Sequence, residues 1–238
     1  HGPCALAGRC VAMKSSPSAR SWIAAGVRHE LLTRALPALR HDMTAPVSVI
    51  RMAVLMLKRQ VAADPVDPAA CEERVNLIDS QVSELVAAIR SLRDWELATT
   101  DDGITRSALV AQCMTLMRSA FDLHGVALEV DEALAAPQDD EPRWPNAAAL
   151  RYLFLGALGY LHDGADEAGT IRIEPDGTDA LRLSARVREA GGANAVLDAH
   201  RAPRALAIDT VALQNLAEDL GYAVLLDADT VRFALAAG

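Results

Sequence analysis

Two long segments carry apolar residues at alternating spacings of three and four, and this repeat limits what the chain can fold into. From Trp22 to Gln60, and again from Cys71 to Leu97, the period is helical. Leu36, Leu39, Met43, Pro46, Ile50, Ala53 and Leu57 form a seam in the first segment. Val75, Ile78, Val82, Leu85, Ile89 and Leu92 form one in the second. Between them, Ala62-Ala63-Asp64-Pro65-Val66-Asp67-Pro68 carries two prolines that end one helix and open the next. A connection this short joins antiparallel neighbours, which makes an αα-hairpin. A hairpin with a seam on each arm cannot bury both alone, whereas two hairpins in a four-helix bundle can. A homodimer is therefore expected.

After Thr99-Thr100-Asp101-Asp102-Gly103, a polar linker, the pattern changes. Ser107 to His124 reads as a helix ended by Gly125, Val126 to Val130 as a strand, and Asn146 to His162 as a helix. Thr170 to Glu174 and Ala180 to Val187 alternate as strands around an Asp176-Gly177 turn. Asp209 to Leu220 is a helix closed by Gly221, and Ala223 to Leu226 and Val231 to Leu235 form a last hairpin. The order αβαββαββ predicts one mixed sheet covered by helices, an α/β sandwich, so the fold class is α+β. The expected divisions are a mobile segment at 1–20, the helical hairpin at 21–100 and the sandwich at 101–238.

Half of the 238 residues are apolar, so the chain is a folded protein with a sizeable core. A net charge of −9 argues against a nucleic-acid partner. The longest apolar run, Tyr152 to Leu161, is too short to cross a bilayer, so no membrane association is expected. Arg9 and Lys14 interrupt the apolar part of the first 18 residues, which therefore do not read as a signal peptide; Met13 is a candidate start. Cys4, Cys10, Cys71 and Cys113 show neither a Cys-x-x-Cys pair nor zinc-ligand spacing, and they suit reduced thiols in the cytoplasm.

Counted from the seam, His29 falls at an inward position and His41 at the position pointing away from the bundle. The run His41-Asp42-Met43-Thr44-Ala45-Pro46-Val47-Ser48-Val49-Ile50-Arg51 resembles the H-box of two-component sensor histidine kinases. That motif has a His, an adjacent acidic residue, Pro five positions later and Arg ten positions later. Neutral imidazole is a nucleophile with a pKa near physiological pH, Asp42 can hold or deprotonate its second nitrogen, and phosphoryl transfer asks mainly for in-line positioning. Pro46 removes the amide that would bond the carbonyl of Asp42, so a bend is expected one turn beyond His41. Ser48, Arg51, Met52 and Leu55 lie on or beside the outward face below His41, and apolar Met52 and Leu55 there suggest a docking patch for a receiver domain. The family commonly has Thr or Asn at the position of Ala45, which implies weak phosphatase activity towards a partner's phosphoaspartate.

In the same resemblance, the second half is similar to the ATP-binding domain of histidine kinases, whose three nucleotide boxes can each be checked. Gly156 and Tyr160 stand where the first box has its magnesium-holding Asn. Glu189-Ala190-Gly191-Gly192-Ala193 stands for Asp-x-Gly-x-Gly, and Ala205-Leu206-Ala207 for a Gly-x-Gly turn. ATP binding is not expected from so degenerate a set, and no metal or cofactor site is expected in the chain itself. An intact H-box joined to such a domain resembles the dimeric histidine phosphotransferases. The resemblance implies a phosphorelay intermediate that takes phosphoryl on His41 from a receiver aspartate and passes it to another response regulator. The receiver, free-standing or part of a hybrid histidine kinase, would supply the magnesium. Two readings stay open beside it: an autophosphorylating histidine kinase, and a dimeric scaffold that docks regulators without phosphotransfer.

Overall fold

The structure is a computed structural model that describes residues 17–97, 102–164, 168–187 and 206–238. Most of the segment expected to be mobile, the Thr99-Thr100-Asp101 part of the linker, the Glu189–Ala193 box and Ala205 lie outside these residues. The hairpin forms as expected. Helix α1 (Pro17–Val61) is followed by α2 (Pro68–Ser91), which runs on into a 3-10 turn at Leu92–Trp95. Asp67 caps α2 by accepting from the amides of Ala69 and Ala70, and Pro68 occupies its first turn. Residues 17–20 correct the expectation of a mobile stretch to position 20: they are already helical, and Arg20 pairs with Glu218 at 3.2 Å.

From Leu39 onward the seam of α1 turns to α2 as its spacing requires. Leu39, Pro46 and Ala53 are buried, and Met43, Ile50 and Leu57 half-buried. Leu36 is a correction, since it is 47% exposed and Ala35 is buried in its stead. The cause is a change of partner along the helix. The first half of α1 packs on the second half of the chain and buries Ala24, Val27, Leu31 and Ala35, so its phase is not set by α2. A 3.6-residue helix also drifts from a strict seven-residue repeat.

The second half contains α3 (Arg106–Leu123), a short α4 (Glu132–Ala135), α5 (Ala147–Gly164) and α6 (Thr210–Leu220). Strands β1 (Ile104–Thr105) and β3 (Arg143–Trp144) form a small ladder. The main sheet joins β2 (Ala127–Val130), β4 (Ala168–Asp176), β5 (Ala180–Val187), β7 (Thr230–Ala234) and β6 (Val224–Leu226) in the order β2-β4-β5-β7-β6. Only β2–β4 is parallel, so the sheet is mixed as expected. Ile171, Ile173, Leu181, Leu183, Val231 and Phe233 alternate onto one face and meet α5 and its neighbours. Arg172, Glu174 and Arg182 alternate onto the other and pair with one another. Helix α5 is buried from Ala147 to Gly159, held between this sheet and the helices outside it. No helix among the described residues is long and apolar enough to cross a membrane.

Candidate functional site

His41 stands in the middle of α1 with its side chain 78% exposed, beside an Asp42 side chain that is 54% exposed. The Asp42 Oδ1 lies 3.6 Å from His41 Nδ1, too far for a formed hydrogen bond but within one small side-chain adjustment of it. Nδ1 is therefore the nitrogen with a carboxylate beside it, and Nε2 is the one left for a partner. Two hydroxyls around this point bond back to the helix's own carbonyls. Thr44 donates its hydroxyl to the carbonyls of Arg40 (2.9 Å) and His41 (3.3 Å), and Ser48 donates to Thr44 (3.2 Å). Pro46 stands inside the helix with Pro37, buried towards α2, and its missing N–H leaves the Asp42 carbonyl without the usual helical donor.

His41, Ala45, Ser48, Met52 and Leu55 follow one another at spacings of four, three, four and three, so they make one strip along α1. Met52 and Leu55 are 59% and 56% exposed, Ser48 is exposed and Ala45 half-buried. Arg51 is exposed next to the strip. The expected docking residues thus lie together below His41.

His29 corrects the sequence reading: it is exposed rather than turned inward, because the first half of α1 buries the row containing Val27 and Leu31. Exposure alone does not separate the two histidines. Their surroundings do, since His29 lies on the part of α1 that is docked, next to Arg28, which is bound to Asp219 at 2.8 Å.

In the second half, α5 and α6 are in contact through glycines. A Cβ on Gly156 would fall 2.9 Å from Leu216 Cδ2 and 3.0 Å from Leu213 Cδ1, with Leu31 of α1 behind them. One on Gly159 would fall 2.6 Å from Ile208 Cδ1 and 3.3 Å from the Arg34 guanidinium. Tyr160 is turned to the sheet, where its hydroxyl donates to the carbonyl of Asp227 (3.0 Å). The helix that would carry the first nucleotide box is thus packed closely against α6, Ile208 and α1 at Gly156 and Gly159. Among the described residues, no group of three or more His, Cys, Asp or Glu side chains is placed to hold a metal ion.

Sequence reasoning missed the polar centre that joins the two halves. The Arg34 guanidinium bonds both oxygens of Asp163, Glu30 and the carbonyl of Leu206. The Asp163 carboxylate also accepts from the amide of Ile208 at 2.9 Å and lies 3.1 Å from His162 Nδ1. Burial alone would raise the Asp163 pKa. The bonds from His162, Arg34 and the Ile208 amide, with the Arg34 charge, outweigh burial and hold the carboxyl far below the usual carboxylate range. Arg34 and Asp163 lie far apart in sequence, in helices with no shared pattern, so no local spacing announces the pair.

No family model matches the sequence, and no curated protein matches it significantly. Among solved structures, the chain is similar to a histidine kinase from Burkholderia phymatum STM815, at 18% identity over 83% of this chain and 98% of that one, with a TM-score of 0.34. It is also similar to the Acinetobacter baumannii histidine kinase AdeS, at 12% identity over 82% and 98% of the two chains and a TM-score of 0.34. A structure of full-length ShkA in complex with AMPPNP matches at 16% identity over 88% of this chain and 47% of that one, with a TM-score of 0.33.

Proposed function

We propose that this protein is a phosphorelay intermediate, a histidine phosphotransferase that accepts phosphoryl on His41 from the aspartyl phosphate of a receiver domain and hands it to another response regulator. The observation that carries the reading is the exposed His41 at the head of an uncovered strip ending in Met52 and Leu55. His41 Nε2 attacks the receiver's phosphorus in line, the bond from phosphorus to the aspartyl oxygen breaks, and the aspartate leaves as a carboxylate. The new phosphoimidazole gives up its Nδ1 proton to Asp42 or water, and the reverse steps deliver the phosphoryl group to the next receiver. Magnesium would be supplied by the receiver's acidic pocket, where its charge would offset that of the transferring group. The contact of Gly156 and Gly159 with α6, Ile208 and Arg34 supports a carrier over an ATP-dependent kinase.

The reading includes a homodimer, and the exposed face of the hairpin supports it. Val47, Val54 and Val61 each follow by one residue the row of α1 that meets α2; Val75, Val82 and Ile89 do the same on α2. One residue is a turn of about 100° in a fixed sense. In antiparallel helices that places both rows on the same side of the hairpin, giving one apolar face. Val47, Val61, Val75, Val82 and Ile89 are 40–58% exposed there. Ala45 and Met52 precede the meeting row by one residue and lie on the opposite side. A dimer joined through the valine rows therefore leaves the His41 strip open.

The test is to incubate the protein with a panel of receiver domains phosphorylated on aspartate with labelled phosphate, and separately with labelled ATP. Label should reach the wild type from a receiver but not from ATP. His41→Ala should take none, while His29→Ala should behave as wild type. Label from ATP would favour the kinase, and binding of receivers without transfer would favour the scaffold.

A further inference from the structure

Beside the His41 strip, a groove of about 270 Å3 opens where the hairpin meets α3. Its walls are Leu39 and Asp42 of α1, Ser91, Asp94 and Trp95 at the end of α2, and Thr115 and Leu116 of α3, with Gln112 and Arg151 at the inner end. Asp42 shares a row with Val49 and Met56, and Ser91 shares one with Glu84. Both rows lie on the side of the hairpin that carries Met52, away from the valine face. The groove therefore opens on the side from which a partner reaches His41.

Its rim is acidic, and Arg151, its one cation among the described residues, lies at the inner end. Asp42 and Asp94 present carboxylates, with side chains 54% and 48% exposed. The Ser91 hydroxyl spends its proton on the carbonyl of Ala88 (2.7 Å), and that of Thr115 on the carbonyl of Ala111 (2.9 Å), so both oxygens are left as acceptors. The buried Arg151 is committed at the inner end to the Gln112 side chain (2.8 Å) and the carbonyl of Asp94 (3.0 Å). Its guanidinium also stands 3.9 Å from Oδ2 of the Asp94 carboxylate, a loose ion pair that a partner's cation would share. Leu39, Trp95 and Leu116 supply an apolar floor. At about 270 Å3 the space falls below the roughly 300–1,000 Å3 of small-molecule sites and suits a single side chain.

We infer that this groove is a second docking point for the phosphoryl partner and receives a lysine or arginine side chain of the receiver domain, its stem on Leu39, Trp95 and Leu116 and its cation between Asp42 and Asp94. An apolar stem ending in a multiple donor matches an apolar floor with acceptors at the rim. The inference rests on the reading of His41 as the acceptor, and it adds specificity: a receiver lacking a cation at the matching place seats poorly however well it covers Met52 and Leu55.

Two variants test it. Thr115→Lys places a competing ammonium in the groove, and Asp94→Asn removes one rim charge; neither residue belongs to the transfer step. With a phosphorylated receiver that the wild type accepts, KM should rise about tenfold for Thr115→Lys and severalfold for Asp94→Asn, with kcat unchanged. With phosphoramidate, a small donor that needs no docking, both variants should label His41 at the wild-type rate. An unchanged KM in Thr115→Lys overturns the groove. So does a matching loss with phosphoramidate, because the residue would then act at His41 itself. Failure of the wild type to accept from any receiver is a different result, and it sinks the phosphotransfer reading instead.

Discussion

Arg34 of α1 and Asp163 at the end of α5, 129 residues apart, meet in a two-pronged ion pair, NH1 to Oδ1 at 3.2 Å and NH2 to Oδ2 at 2.8 Å. The pair is nearly dry, with the two side chains 11% and 3% exposed, and Ile208 and Leu206 are bonded to the same centre. It ties the hairpin, α5 and the segment leading to α6 into one body. Removing one member of a buried pair strands the other, so Asp163→Ala should cost about 3–5 kcal/mol in urea unfolding.

The same carboxylate sets an acid dependence. Its pKa is lower in the folded state than in the unfolded chain, so the unfolded state binds the proton first as pH falls. The stabilisation is complete well above the ordinary aspartate value of about 3.9 and declines below it. Thermal unfolding followed from pH 6 to pH 3 should show a steep loss of Tm in the wild type. Asp163→Asn should start lower and fall less steeply over the same range.

Gly156→Asn puts back the residue type that the first nucleotide box would have. The added atoms must enter a gap already filled by Leu213 and Leu216, so the expected result is overpacking, a loss of about 1–3 kcal/mol, and no gain of ATP binding by calorimetry. Tight ATP binding by this variant would show that the helices part easily and would reopen the kinase reading.

How far the sequence could be read depended on whether a residue's partner lies nearby in the chain. The Asp67-Pro68 start of α2, the Gly221 end of α6 with its φ of 82°, and the αβαββαββ order of the longer elements are local signals that appear where the spacing puts them. The short β1, α4 and β3 carry too few residues to show a period and were not foreseen. The exposed strip from His41 to Leu55 was legible because α1 turns its own expected seam to α2 beyond Leu39. On α2, by contrast, Val75, Val82, Ile89 and Leu92 of the expected seam are 40–52% exposed, the row that meets α1 lying one residue earlier. The phase failed upstream, at Leu36 and His29, because there the helix packs on α6 and α5, which a heptad count cannot know. Arg28–Asp219 and Arg34–Asp163 were invisible for the same reason. The groove beside Asp42 needs α3 brought to the hairpin, a purely tertiary event.

Ile89 and Val82 lie on the exposed apolar face that the dimer would cover, at 51% and 44% exposed. Ile89→Glu with Val82→Glu places charges where a second hairpin must pack, and light scattering should then report the monomer mass. In the lone chain neither side chain is buried, so the circular dichroism of the monomer should keep its helical strength.

Cys71 is partly exposed, whereas Cys113 is fully buried in α3. Burial, only partly offset by the Arg151 charge, pushes the Cys113 thiol up to about 12. A thiol-disulfide reagent at pH 8 should label Cys71 in the native protein within minutes. Cys113 should react only when urea opens the fold, which makes its labelling rate a clock for opening of the core.

Ala45 lies one turn beyond His41 on the same strip, where a receiver's phosphoaspartate would come to rest. A methyl group there cannot orient water, so the protein should leave a phosphorylated receiver largely intact except by transfer to His41. Asn at this position adds a carbonyl and an amide close to the phosphoryl group, enough to hold a water for in-line attack. Ala45→Asn in a His41→Ala background, where transfer is blocked, should shorten the receiver's phosphate half-life severalfold, whereas His41→Ala alone should not. The substitution is half-exposed and should cost less than about 1 kcal/mol, so a gain in hydrolysis would not be masked by unfolding. If the double variant left the receiver's half-life unchanged, either Ala45 would not face the phosphoaspartate or receivers would not seat on this strip. Retained binding of the receiver would point to the first explanation and lost binding to the second.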